Sequence, residues 1–326
     1  MLKIKRFRSS DELLWDKFVP TTNNGTLFHL RRFLNYHADD RFQDHSLCVT
    51  KKNSLFSVFP AAEKILKGDR ILFSHPGASM GSFAVPENLS IADAISLANA
   101  LVQYAAKEKF DGIRITLPPT LYQKRLSNYL DFAFFKQGFE YVKREVTSIL
   151  FLENTLEKNL EKFKPSHRRA VRSAQGKGVK VSLSDDYANF YELLEKNLNI
   201  RHGVSPTHSL EEILDLKSRF SDRVNLFGAF IDEKMIAGIL NFIVNEHVVL
   251  AFYISHDEDY QEYRAVNCLF YSIFDWAIQT GLKVYDFGIF TVNEKPNMGL
   301  GRFKENFVQF ESRVDEKVVA AAPKAA

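Results

Sequence analysis

The stretch Tyr285-Asp286-Phe287-Gly288, continued by Asn297-Met298-Gly299-Leu300-Gly301-Arg302-Phe303-Lys304-Glu305-Asn306-Phe307, decides how this chain is read. Tyr285 to Gly288 reads as a buried strand, and the glycines that follow read as a turn. Arg302 and Lys304 are then expected at the end of a sheet. Charged donors set there suit a site that handles a carbonyl or an anionic substrate.

Working outward, Cys268, Phe270, Tyr271, Phe274 and Trp276 recur at three- and four-residue spacing, which predicts a helix over 265–280 ending at Gly281. Residues 224–230 and 237–245 flank the polar turn Asp232-Glu233-Lys234 as a hairpin, and 247–255 reads as a buried central strand. Residues 260–264 form a polar connection into the helix. The first half carries a similar order: a helix over 91–107 leads into a strand over 112–117. Phe56-Ser57-Val58-Phe59 has its counterpart in Phe227-Gly228-Ala229-Phe230, and an apolar helix near 13–19 has one near 190–197. Duplication is the favoured reading, with each half an α+β (α/β) unit. The expected boundaries are 1–150 and 151–317, with a frayed tail over 318–326. Between the halves, 155–163 reads as a short amphipathic helix broken by Pro165.

Composition narrows the function classes. The chain has 326 residues, 45% hydrophobic and 25% charged, as in ordinary globular proteins. Its 29 phenylalanines predict a ring-filled core. A net charge of +3 does not indicate a nucleic-acid protein, and nothing points to DNA. Cys48 and Cys268 lie far apart in apolar surroundings, so buried free thiols in a reducing compartment are expected. The charged N-terminus is followed by no apolar signal-peptide segment. No apolar run approaches the ~18 residues of a membrane span, so cytoplasmic location is the default expectation.

Local motifs add candidates. Residues 158–180 hold Lys158, Lys162, Lys164, Arg168, Arg169, Arg172, Lys177 and Lys180 against one acid, Glu161. Arg168, Arg169 and Arg172 fall on a predicted helix over 166–175 that can clamp a phosphate or form a solvated face. Arg201 and His202 are candidates for a loop beside a ligand. His208 is better explained structurally, because Ser209 and Glu212 spell a helix-capping box. The spacing of these histidines matches no metal-ligand pattern, and no metal is expected. Asp286-Phe287-Gly288 lacks the other kinase motifs and reads as structural, and there is no Walker A loop or nucleophile elbow. Residues 74–82 form a turn-rich loop whose glycines allow close approach of a ligand.

The chain resembles the FemAB-like branch of the GNAT superfamily, most firmly over 160–310. The matching pieces are Arg169-x-x-Arg172-x-Ala174-x-x-x-Gly178-Val179, Phe227-Gly228-Ala229-Phe230, Ile236-Ala237-Gly238 and Tyr253-Ile254-Ser255. They continue with Trp276-Ala277-x-x-x-Gly281, Tyr285-Asp286-Phe287-Gly288 and Phe303-Lys304-x-x-Phe307. The resemblance implies two tandem GNAT-like domains, each a mixed, mainly antiparallel sheet flanked by helices. It implies transfer of an acyl or aminoacyl group to an amine, with Lys304 stabilising charge on the transferred group. Arg169 and Arg172 would serve an anionic substrate. Where the family holds the coenzyme A pyrophosphate with a Q/R-x-x-G-x-G/A loop, this chain reads Gln261-Glu262-Tyr263-Arg264-Ala265-Val266. Gln261, Arg264 and Ala265 are the cofactor-binding candidates, and the missing small residues weigh against acetyl-CoA.

The expected activity is therefore direct N-acyl transfer from acyl-CoA or aminoacyl-tRNA to a small-molecule, cell-wall or surface-polysaccharide precursor. Lys304 and backbone N–H groups would stabilise the oxyanion, and Tyr253, Tyr260 or His202 would handle protons. Two other classes compete: an RNA-binding protein without catalysis, and a GNAT-like scaffold with a plugged cleft.

Overall fold

Short β-branched and aromatic runs, punctuated by polar turns, set the strands of a computed structural model that describes residues 2–38, 40–202, 205–307 and 310–320. The side chains of 200–202, 310–314 and 320 are excepted. The chain divides into two compact units, Met1–Val146 with Ser312–Ala326, and Thr147–Glu311.

The first unit runs β1 (Leu2–Arg6), α1 (Glu12–Phe18), α2 (Arg31–Leu34), β2 (Gln43–Asp44), β3 (Leu47–Lys51) and β4 (Ser54–Phe59). It continues with β5 (Ala62–Leu66), β6 (Asp69–Ser74), α3 (Ile91–Lys107), β7 (Gly112–Thr116), α4 (Tyr129–Lys136) and the start of β8 (Glu140–Phe151). β1, β3 and β4 make one antiparallel sheet. In a second sheet β5 and β6 are antiparallel and β6 and β7 parallel. The Ser90 side chain caps α3 by accepting from the Asp93 amide. Ala94, Leu97, Ala98, Leu101 and Ala105 then fall on one buried face, packed with Leu72, Phe83 and Ile113.

The second unit runs α5 (Leu156–Lys162), α6 (Pro165–Gly176), β9 (Lys180–Ser184), α7 (Tyr187–His202), α8 (Leu210–Arg219), β10 (Val224–Ile231) and β11 (Lys234–Ile243). Then come β12 (Val248–His256), α9 (Ala265–Gln279), β13 (Val284–Ile289), β14 (Thr291–Val292), β15 (Lys295–Pro296) and α10 (Met298–Lys304). Its sheet order is β8, β13, β12, β11, β10, β9, antiparallel except for the parallel pair β12 and β13. The step β12–α9–β13 has the same form as β6–α3–β7 in the first unit. The rings of Phe274, Tyr285, Phe287, Phe303 and Phe307 surround Phe270 with centroids 5.0 to 6.2 Å away.

Three expectations change. Arg302 and Lys304 stand on α10 rather than at a sheet end, because the Asn297 side chain accepts from the Leu300 amide and starts a helix through Gly299 and Gly301. Pro165 opens α6 at its first turn, where its missing N–H costs nothing, rather than only ending the helix before it. Residues 318–320, expected to fray, belong to β16 (Phe310–Ala320), where Glu316–Ala320 pairs antiparallel with Gly112–Thr116 of β7. The fork of Arg114 meets Glu316 at 2.5 and 2.7 Å across that pairing. The first unit thus takes in residues 312–320 as well, and the two compact units meet in sequence at 146/147.

Phe270→Ala is expected to destabilise the second unit by about 3–5 kcal/mol, the range for emptying a buried phenylalanine site. Urea denaturation measures it, and a loss below about 1 kcal/mol would show that the ring cluster does not hold this core.

Candidate active site

The parallel pairing of β12 with β13 covers only Val248–Leu250 against Val284–Asp286. Beyond it β12 stays with β11 as far as His256, past a register shift between Leu240 and Asn241. Gly288 has φ +74, and a Cβ there would come 3.2 Å from the Ala251 carbonyl oxygen, so glycine suits this close passage. Beyond the short pairing, a pocket of about 560 Å³ is lined by Ile254 and His256 of β12, by Ile236, and by Asn197 and Leu198 of α7. The turn before α9 adds Tyr260, Gln261 and Arg264, and α9 adds Ala265, Val266 and Asn267. α10 and its cap close the lining with Asn297, Leu300 and Phe303. The volume is that of a small-molecule site.

The turn gives the pocket its charge. Arg264 occupies the left-handed region (φ 53, ψ 33) at the N-cap of α9, a conformation that glycine adopts without strain and arginine does not. No side chain caps α9, and no acid lies in its first turn. The positive end of a 15-residue helix therefore opens on the pocket beside an exposed guanidinium, an arrangement that favours phosphate or carboxylate.

Neighbouring groups fix the walls. The Asn197 amide donates to Ser255 Oγ at 2.7 Å and to the His256 carbonyl at 2.6 Å, joining α7 to the end of β12. The Asn267 amide donates to His167 Nδ1 at 2.6 Å, which puts the ring proton on Nε2. Burial pushes the His167 pKa down, with Arg264 and Lys164 adding to it, and its ring meets the edges of Phe303 and Phe307. Sequence reading passed over His167; its signal was a place on the apolar face of α6 with Val171 and Ala174.

Lys304 stands beside this pocket without lining it. It is 2% exposed, and its ammonium donates to the carbonyls of Gly288 at 2.6 Å and Ile289 at 3.0 Å. Burial pushes its pKa down to about 8, against the opposing pull of the Asp286 carboxylate. Asp286 is itself buried, accepting from the Gly288 amide at 2.7 Å and from the Thr147 hydroxyl.

The structure gathers Tyr260, Gln261, Arg264 and Ala265 around one pocket. Tyr253 is outside the lining, its hydroxyl 2.9 Å from His208 Nδ1 and its pKa raised by burial. Arg169 and Arg172 are exposed on α6, and Arg302 is exposed on α10; none lines the pocket. Arg201 and His202 end α7, and their side chains lie outside the described residues. Among the described residues no group of three or more His, Cys, Asp or Glu could hold a metal, and no helix is long and apolar enough to cross a membrane.

Residues 161–305 match the sequence profile of the acetyltransferase (GNAT) domain. No curated protein matches the chain. Among solved structures, FemX superposes with a TM-score of 0.76 at 15% identity, covering 98% of this chain and 97% of that one. L-PGS from Bacillus licheniformis gives 0.59 at 10% identity, covering 95% and 91%. A tandem GNAT protein from the clavulanic acid biosynthesis pathway gives 0.56 at 11% identity, covering all of both chains. Such identities establish the fold. The chain thus has a two-domain GNAT-like architecture, with the match to the acetyltransferase (GNAT) domain profile at 161–305.

The buried ammonium makes a pH prediction. Lys304 has a folded-state pKa near 8, below the ordinary 10.5 of the unfolded chain. The unfolded state therefore binds more protons between these values, and stability rises with pH across that window. Relative to Lys304→Met, the protein should gain on the order of 3 kcal/mol from pH 8 to 10.5. Urea denaturation of both proteins across that range checks it, and a constant difference would show that Lys304 keeps its ordinary pKa.

Proposed function

We propose that this protein moves an acyl or aminoacyl group from an activated carrier onto an amine of a small-molecule or cell-envelope precursor in the cytoplasm. The observation that carries the reading is the pocket of about 560 Å³ at the uncapped start of α9, within the domain that matches the acetyltransferase profile. The anionic part of the donor sits against Arg264 and the first turn of α9. Ile254, Leu300 and Phe303 give an apolar wall for the arm that carries the acyl group. An acyl-CoA fits this division between phosphate and apolar arm. An aminoacyl-tRNA draws support from the exposed arginines of α6 and from the fold shared with FemX.

In the proposed reaction the acceptor amine attacks the donor carbonyl and a C–N bond forms. The carrier leaves with its bonding electrons and takes up the proton that the nitrogen sheds. Tyr260 is assigned to proton handling because it lines the pocket, while the hydroxyl of Tyr253 is engaged by His208. Lys304 follows Phe303 on α10, and its buried charge favours an oxyanion formed beside that wall. The open pocket argues against a scaffold with a plugged cleft.

Two measurements test this. Thermal-shift comparison of coenzyme A, acetyl-CoA, charged tRNA and uncharged tRNA should single out one donor class, and Arg264→Ala should weaken that donor about tenfold. Equal response to all four, or a donor indifferent to Arg264→Ala, would remove the anion-binding assignment. With the stabilising donor and an amine acceptor, Lys304→Met should lower kcat about a hundredfold while circular dichroism stays native. Unchanged kcat would remove Lys304 from the mechanism.

A further inference from the structure

The outer face of α4 in the first unit is apolar, although its inner face already supplies the core residues Ala133 and Phe134. Tyr129, Phe132 and Phe135 point to solvent, Phe132 48% and Phe135 67% exposed, and Leu126 just before the helix is 73% exposed. A helix with aromatic rings on its outer as well as its inner face normally has something packed on each side. Nothing described covers the outer side here.

We propose that this face of α4 docks onto an anionic bilayer surface, with Tyr129, Phe132 and Phe135 entering the headgroup boundary. The charges around it carry the choice. Between 124 and 145 stand Lys124, Arg125, Lys136, Lys143 and Arg144 against Asp131, Glu140 and Glu145. Lys143 and Arg144 are engaged by Glu145 and Asp315, which leaves Arg125 and Lys136 as the cations of this face. Arg125 and Lys136 are exposed at the two ends of the aromatic row. Asp131, the acid within α4, is taken up by Lys317 at 2.6 Å and by the Tyr141 hydroxyl at 2.7 Å. The face that remains outward is a row of exposed aromatic rings between Arg125 and Lys136. That combination matches an interfacial helix, where rings reach the acyl boundary and Lys or Arg meet lipid phosphates. A second copy of this chain fits less well, because twofold packing on α4 would set Arg125 and Lys136 against their like. This docking does not depend on the transfer reading. It would hold the enzyme at the surface where a lipid-linked or membrane-bound acceptor is found.

The test is flotation of the full chain with vesicles of phosphatidylcholine alone and of phosphatidylcholine mixed with phosphatidylglycerol. Binding is expected only to the mixed vesicles and should weaken with added salt. The pair Phe132→Ser with Phe135→Ser, and separately Arg125→Glu with Lys136→Glu, should each lower it about tenfold or more. All four positions are exposed, so these variants should keep the native circular dichroism spectrum. Failure to float with either vesicle would overturn the proposal, as would binding that neither pair changes. A dimer in light scattering that the phenylalanine pair dissolves, without vesicle binding, would assign the face to a second copy instead.

Discussion

β12 and β13 pair in parallel over Val248–Leu250 and then part, and much of the second unit follows from that parting. A strand that leaves its neighbour leaves backbone carbonyls without ladder partners there, and they take other donors. Lys304 meets this need for Gly288 and Ile289, while the Gly288 amide turns to Asp286. The same divergence opens the room into which α9 points its first turn. One buried cation therefore holds the end of β13 to α10, and α10 in turn offers Leu300 and Phe303 to the pocket.

The aromatic cluster around Phe270 makes this tolerable. It packs α9 against β13 and α10 through Phe287, Phe303 and Phe307, so the elements that frame the pocket share one core. A pocket framed by rigid elements holds a substrate in fixed geometry, and much of the acceleration of acyl transfer comes from such positioning. The half-buried His167 and its bond to Asn267 extend the same frame to α6.

Much of the fold was legible because local pattern and tertiary demand agree. The predicted helix over 91–107 matches α3, and that over 265–280 differs from α9 only at its last residue. Both carry clean helical spacing and clear ends. The hairpin at Asp232-Glu233 was equally plain, both residues taking positive φ. Long-range pairing was not legible: β16 joins β7 through Arg114 and Glu316, 202 positions apart, and nothing near 318–320 announces a partner. The family resemblance pointed to Gln261, Arg264 and Ala265, which line the pocket, yet the arginine at 264 concealed that the turn keeps a glycine-like conformation. Lys304 was picked out, but its setting was misjudged because Gly299 and Gly301 suggested a turn where Asn297 caps a helix. His167 was hidden in a run of arginines.

The account rests on the start of α9 as the place where the donor's anion is held. The most direct measurement is an amide-resolved NMR titration of the protein with acetyl-CoA and, separately, with charged tRNA, following Ala265 and Val266. One donor is predicted to shift both amides saturably, and Arg264→Ala to weaken that response. If both donors leave these amides unmoved while resonances elsewhere respond, the donor binds at another place and the pocket at α9 has a different purpose.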